Sequence, residues 1–472
     1  MTEIRPFIDG AWVDGESTTE ITDKYSGKRL GTLHDASVDQ VHRATAAAAE
    51  AQRQRLHPYE RYRILTRAAE LLAERSEQFV TTIVADSGFT RSDAQREVER
   101  ATQTLLLSGE EAKRITGEMV PLDSAPGVDG RLAFTVRHPL GVVAAITPFN
   151  SPLNTVAHKV APALAAGNAV VLKPASYTPM TADLLLRLLL DAGLPEKLMS
   201  VVYGGGGSVG QALLEDPVPA FYAFTGSTEV GAHLKATVGL RRSQLELGSL
   251  SSTIVCADAD VERAAGLCVN AAFRKAGQVC TSIQRLYVDR AIAADFADAL
   301  ATALKGKTFG DPAVPDTFVG PVISTRDADR IESWIAQAAA AGADVVHGGG
   351  RDGNVIAPTV LGNVTTQMTI MREEVFGPAL CVREYDSLGA AIAEINDTPF
   401  GLAAGVFTAD IGTALTAAGE LRMGSVHINE SSSSRVDAMP YGGVKASGMG
   451  KEGPHYAIRE MTEERLITIG MP

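Results

Sequence analysis

The chain is expected to be an α/β protein with two doubly wound parallel-sheet domains and a small β arm. Three observations predict this. Short apolar runs rich in Val, Ile and aromatics alternate with helical patterns between residues 141 and 237, as in a parallel sheet covered by helices on both faces. A second alternation starts near Ser251-Ser252-Thr253-Ile254-Val255 and continues to about His427-Ile428-Asn429. Finally, 472 residues exceed what one hydrophobic core usually fills.

In chain order, segments 38–53, 59–79 and 94–114 carry three- and four-residue apolar spacing and are predicted helices. The stretch 121–130, with Pro, Asp, Ser and Gly, is a surface connection or arm. Strands are predicted at 141–146, 169–172, 199–203 and 220–224, with helices at 154–165, 181–192 and 228–237. The domain boundary falls close to Gly248. Helices at 260–275, 292–304, 327–341 and 388–396 belong to the second series. The ending 465–469 is one strand, and an unpaired apolar edge seeks a partner.

Bulk properties narrow the function classes. Hydrophobic residues make up 45% and charged residues 21%, ordinary for a soluble globular protein. A net charge of −13 argues against nucleic acid or an anionic membrane as partner. Four cysteines, Cys256, Cys268, Cys280 and Cys381, are too sparse for a disulfide framework. The start lacks a signal-peptide apolar core, and no run of about 18 apolar residues exists to span a bilayer. A cytoplasmic protein is expected, with no metal.

Cys280 stands apart from the other cysteines. Cys256 sits in the apolar run Ile254-Val255-Cys256, whereas Cys280 is flanked by Gly277, Gln278, Thr281 and Ser282. A lone cysteine is more often a small buried apolar residue than a nucleophile. A G-x-G-x-x-G match at 205–210 lacks an acid at the end of the next strand, so its Gly207 is read as part of a turn beside a cofactor. Gly226-Ser227-Thr228-Glu229-Val230-Gly231 opens a helix and is the better phosphate site, since backbone donors converge at a helix N-terminus.

Four segments, in order, are Thr147-Pro148-Phe149-Asn150, Leu245-Glu246-Leu247-Gly248, the Gly277-Gln278-Val279-Cys280 loop and Glu373-Glu374-Val375-Phe376-Gly377-Pro378. Together they resemble the aldehyde dehydrogenase superfamily from about residue 5 to the C-terminus. The resemblance implies a Rossmann-like cofactor domain at 1–116 and 137–248 and a catalytic domain at 249–439. It also implies an oligomerisation arm at 117–136 and 456–472, giving a homodimer or homotetramer.

That resemblance implies NAD(P)-dependent oxidation of an aldehyde to its acid. Cys280 is the expected nucleophile, forming a thiohemiacetal and then a thioester. Asn150, with the Cys280 backbone N–H, is the expected oxyanion hole. Glu246 is the expected base for thioester hydrolysis, the alternative being a core acid paired with Arg241 or Arg242. Its presence favours hydrolysis over transfer to coenzyme A or phosphate. Intact Cys280, Asn150 and Glu246 speak against a non-catalytic, cofactor-binding member.

Expected cofactor contacts are Thr147, Phe149, Lys173, Ser176, Gly207, Gly226, Ser227, Gly231, Leu247, Glu374 and Phe376. Glu374 is implied at the nicotinamide ribose, with Phe376 near the ring. Ser176 replaces the Glu common in NAD-using relatives, which favours NADP while leaving NAD possible. On the substrate side, Thr155 and His158 share a helical face, and Thr281 and Arg435 complete the expected tunnel. His158 is either a tunnel residue for a polar or anionic aldehyde or a hydrogen-bonded core histidine. Arg435 either clamps an anion or pairs with Asp437 at the surface. The tail resembles the lactaldehyde, glyceraldehyde and phosphonoacetaldehyde branch.

Overall fold

The computed structural model describes residues 2–127 and 130–470. Met1, positions 128 and 129 of the predicted connection, and 471–472 of the predicted arm lie outside the described residues. Two large sheets dominate. The first runs, edge to edge, Gly448–Met449, Arg242–Glu246, Phe221–Thr225, Val142–Ile146, Ala169–Lys173, Met199–Val201, Phe7–Ile8 and Ala11–Trp12. Its five strands from Arg242–Glu246 to Met199–Val201 are parallel. Ala169–Lys173 is buried along its whole length, which is why central strands read as unbroken apolar runs.

From Val142–Ile146 the chain moves to Ala169–Lys173 and Met199–Val201, then returns to Phe221–Thr225 on the opposite side. Such a reversal opens a crevice at the carboxyl ends of the two strands that flank it. The second sheet runs Asp344–His347, Thr359–Gly362, Ala379–Tyr385, Arg285–Asp289, Ser252–Val255, Ala403–Phe407 and Ser425–Ile428. It faces the same crevice with the opposite ends of its strands. Gly248, Cys280 and Glu374 all line the crevice and lie just before Ser252–Val255, Arg285–Asp289 and Ala379–Tyr385 respectively.

Each large sheet has its own apolar core, and the tail residues Ala457, Ile458 and Met461 pack into the first. Strand Thr462–Gly470 then pairs antiparallel with Arg131–Pro139, and Met119 bridges Phe134. Leu466 and Ile469 on that last strand are exposed. Among the described residues no helix is long and apolar enough to cross a membrane.

Two predicted helices need correction. The segment 59–79 is not one helix but two, Pro58–Glu74 and Ser76–Ser87, broken at Arg75 (φ −102°, ψ 18°). Apolar spacing continues across the break, so periodicity could not register it. The predicted 260–275 helix stops at Phe273, because Arg274 turns extended (φ −54°, ψ 145°) and Lys275 and Ala276 then enter the left-handed region.

Candidate active site

The crevice between the sheets is a cavity of about 960 Å³, near the upper end for small-molecule sites. Cys280 reaches it through an unusual turn. Lys275, Ala276 and Gly277 have φ of 52°, 53° and 69°, a run that non-glycine residues rarely adopt and that surrounding contacts must hold. At Gly277 a Cβ would lie 2.1 Å from the Gly377 carbonyl oxygen, so only glycine fits. Lys275 supplies the restraint. Its N–H donates to Asp93 Oδ2 (2.9 Å), while its Nζ is bonded to Glu97 and donates to the Asn150 carbonyl oxygen (2.9 Å). Glu97 Oε1 also accepts from the Leu153 and Asn154 N–H groups. Helix Arg91–Ala112 therefore anchors both the Asn150 segment and the Cys280 segment.

Cys280 Sγ lies 2.9 Å from the Tyr441 hydroxyl. Burial pushes the thiol up to about 11, opposed by the Tyr441 hydrogen bond and the charge of Arg435. Asn150 donates from Nδ2 to the Gln278 carbonyl oxygen at 2.8 Å. A side-chain amide has two N–H donors, and the second has no acceptor among the described residues. The amide is thus fixed beside Cys280 with one donor to spare.

Glu246 ends strand Arg242–Glu246 and is 3% exposed. Its Oε1 accepts from Gln244 Nε2 at 2.6 Å, and its Oε2 has no partner. Burial and the nearby Glu452 carboxylate lift its pKa well above the usual range. The predicted alternative of a pair with Arg241 or Arg242 is not met: those guanidiniums donate to backbone carbonyls and Tyr222. Glu452 behaves oppositely. Lys159 at 2.9 Å and Arg435 at 2.7 Å hold it well below the usual carboxylate range against its burial. Two neighbouring buried acids are thereby pushed in opposite directions, Glu246 towards its neutral form and Glu452 towards its ionised form.

On the other side of the cavity Ser227 caps helix Thr228–Val238, accepting from the Val230 N–H. Gly226, Ser227, Gly207, Lys173, Thr147, Phe149 and Leu247 all line this half. Burial brings Lys173 down to about 8. Glu374 Oε1 accepts from the Ser249 N–H at 3.0 Å, and burial raises its carboxyl to about 7. Phe376 holds φ +47° with its ring edge-on to Phe149 at 5.9 Å. Two predicted contacts fall outside the lining. Ser176 is exposed and donates to the Gly204 carbonyl oxygen. Gly231 lies beneath the surface, where a Cβ would be 2.3 Å from Leu247 Cδ2, so its absence of side chain seats Leu247.

Thr155 and Thr281 line the cavity, but His158 does not. It is 1% exposed and bonded to Asp437 (2.9 Å) and Thr104 (3.3 Å). The face that decides its direction is the i, i+4 row with Asn154, whose side chain meets the same Thr104 and Asp437. Arg435 does line the cavity, yet its charge is committed to Glu452. The expected surface pair with Asp437 is absent, because Asp437 is buried and takes Arg100 and His158 instead. Sequence reasoning missed Arg274, which lines the cavity and donates to Ser433 Oγ at 2.8 Å. Ser433 in turn meets Thr281 Oγ1 at 3.2 Å. No carboxylate pairs with Arg274 among the described residues. Its spacing six residues before Cys280 was the available signal.

A parallel-sheet crevice holding a thiol, a fixed amide and a buried acid has the parts of a dehydrogenase-type site. Comparison with known proteins agrees: the model of the aldehyde dehydrogenase family matches residues 12–467. The chain belongs to that family and is an NAD(P)-dependent aldehyde dehydrogenase. It is 46% identical to 3-sulfolactaldehyde dehydrogenase of Priestia megaterium over 474 residues, covering 100% of this chain and 99% of the relative. Lactaldehyde dehydrogenase of Methanococcus maripaludis is 34% identical over 98% of this chain and 99% of its own. The crystal structure of NADP-dependent glyceraldehyde-3-phosphate dehydrogenase from Bacillus halodurans complexed with NADP superposes with TM-score 0.97 at 34% identity, over 100% of both chains.

Proposed function

We propose that this chain oxidises a small aldehyde bearing a sulfonate or similar tetrahedral anion to the corresponding acid, through a thioester on Cys280. The observation that carries the anion is Arg274. It is a cation facing the cavity beside Cys280 without a carboxylate partner, next to the hydroxyls of Ser433 and Thr281. An unpaired guanidinium flanked by hydroxyl donors suits a sulfonate, phosphonate or carboxylate. The names of the sulfolactaldehyde and glyceraldehyde-3-phosphate enzymes agree with that chemistry.

Cys280 adds to the aldehyde carbon, and the oxyanion that forms is met by the spare Asn150 N–H and the Cys280 N–H. NAD(P), if held in the other half of the cavity, would supply the hydride acceptor. The residues there fit that group: the Thr147 and Thr225 hydroxyls are buried without partners, Ser227 opens a helix N-terminus, and the Glu374 carboxylate suits a ribose. NADP is favoured because Ser176 offers no carboxylate to repel a 2′-phosphate, while Lys173 adds a positive charge. Glu246 then takes a proton from the water that hydrolyses the thioester. The open outer edge of Thr462–Gly470, with Leu466 and Ile469 exposed, supports a homodimer or homotetramer. Four unpaired cysteines support a cytoplasmic location.

Initial rates with 3-sulfolactaldehyde, phosphonoacetaldehyde, lactaldehyde and hexanal, in wild type and Arg274→Gln, test the reading. KM for the anionic aldehydes should rise at least about tenfold in the variant, with lactaldehyde little changed. Equal losses on all four substrates would leave Arg274 structural and remove the anion from the proposal.

A further inference from the structure

Arg435 and Tyr441 remain outside the roles assigned so far. Tyr441 is 4% exposed, its hydroxyl touches Cys280 Sγ at 2.9 Å, and the Arg435 guanidinium carbon sits 3.7 Å above its ring centre. The same guanidinium bonds Glu452 at 2.7 Å. Tyr441 and Glu452 exchange two backbone hydrogen bonds, 3.1 and 2.6 Å. One rigid loop pair thus presents a phenol to the nucleophile, with Arg435 fixed against both its members.

We propose that Tyr441 is a catalytic residue whose phenol donates a hydrogen bond to the Cys280 thiolate, and that Arg435 positions that phenol through the stack on its ring. The inference rests on Cys280 being the nucleophile. A phenol is the only side-chain hydroxyl bonded to Sγ among the described residues, and a donor aimed at an anion favours the anion. Burial and the neighbouring sulfur keep the Tyr441 proton in place, so the phenol donates when the sulfur is charged. A cation over the ring face strengthens the O–H as a donor, and the interaction gains when both partners are out of water. The other charged groups facing Cys280 are Glu374 and Glu246, which oppose the thiolate, and Arg274 from the end of helix Val261–Phe273, which also senses it. Tyr441 and Arg435 are the groups working in the thiolate's favour from the Arg435–Glu452 loop.

The test is the pH dependence of iodoacetamide alkylation at Cys280 in the full-length enzyme, read by peptide mass, with turnover followed in parallel. Tyr441→Phe keeps the ring and the stack and removes only the hydroxyl. Its alkylation midpoint should rise by about one pH unit, and alkylation near neutrality should slow about tenfold. Arg435→Gln should shift the midpoint the same way by less, and the double variant should go no further than Tyr441→Phe. A Tyr441→Phe profile superposing on wild type would overturn the proposal. Additive shifts in the double variant would overturn the positioning role of Arg435. If Tyr441→Phe does not fold, a profile for Arg435→Gln that superposes on wild type counts against the proposal equally. Full turnover by alkylated wild type would instead sink the nucleophile reading itself.

Discussion

The two halves of the cavity are built on different plans. The cofactor half is made by strand ends and one helix N-terminus of the first sheet: Thr147 to Asn150 after Val142–Ile146, and Gly226-Ser227 before helix Thr228–Val238. Each part is a contiguous stretch of chain, fixed by turn and cap chemistry. The substrate half is made by loops whose charges find partners far away. Arg100 meets Asp437, His158 meets Asp437, and Lys159 meets Glu452 across hundreds of residues. The first-sheet part of the cofactor half is specified locally, whereas Glu374, Phe376 and the substrate half depend on the complete fold. Mutations should therefore act on chemistry in one place and on both chemistry and stability in the other.

The largest expected effect breaks the substrate half at its centre. Cys280→Ala should lower kcat by at least about 10⁴-fold while thermal midpoints stay near wild type. Next is Glu246→Gln, for which kcat should fall about 10²–10⁴-fold. Because burial raises the Glu246 pKa, its base form grows as pH rises, so wild-type kcat should climb into the alkaline range. The variant should lose that limb, which pH–rate profiles will show.

Lys159→Met sharpens the contrast through stability. It leaves Glu452 buried with one partner fewer, which costs about 3–5 kcal/mol, measured by denaturant unfolding. Ser227→Ala, in the locally specified half, removes a single cap and should cost only about 1 kcal/mol, with a raised KM for NADP.

The smallest effect is a pH dependence. Glu374 titrates near 7 in the fold against about 4.5 unfolded. The native chain keeps a proton there that the unfolded chain releases, so stability falls as pH rises between those values. Glu374→Gln removes that term, and thermal midpoints measured with no cofactor added should fall less from pH 5 to 7.5 than in wild type.

The same contrast decides what the sequence made legible. Alternating runs gave four strands of the first sheet to within about two residues, because both faces are covered and most positions are apolar, whereas Arg242–Glu246, with its polar Arg-Ser-Gln start, was not read as a strand. Cys280, Asn150 and Glu246 were singled out from neighbouring residues, and the fold brings all three to one cavity. His158 stayed open between tunnel and core, because its direction depends on Asp437, 279 positions away, and the fold makes it the hydrogen-bonded core histidine. Arg435 was placed correctly, but its partner Glu452 could not be read from its own neighbourhood. Tyr441 and Arg274 carried no readable role in the sequence, since only the folded chain brings a phenol to the thiol or leaves a guanidinium unpaired.

The central claim is a thioester on Cys280, and a single turnover of Glu246→Gln tests it most directly. Enzyme mixed with NADP and 3-sulfolactaldehyde, then quenched within seconds, should show a burst of about one reduced cofactor per site. Peptide mass should find the acyl group on Cys280 in the same samples. Reduced cofactor without an adduct on Cys280, or an equal burst from Cys280→Ala, would contradict the account.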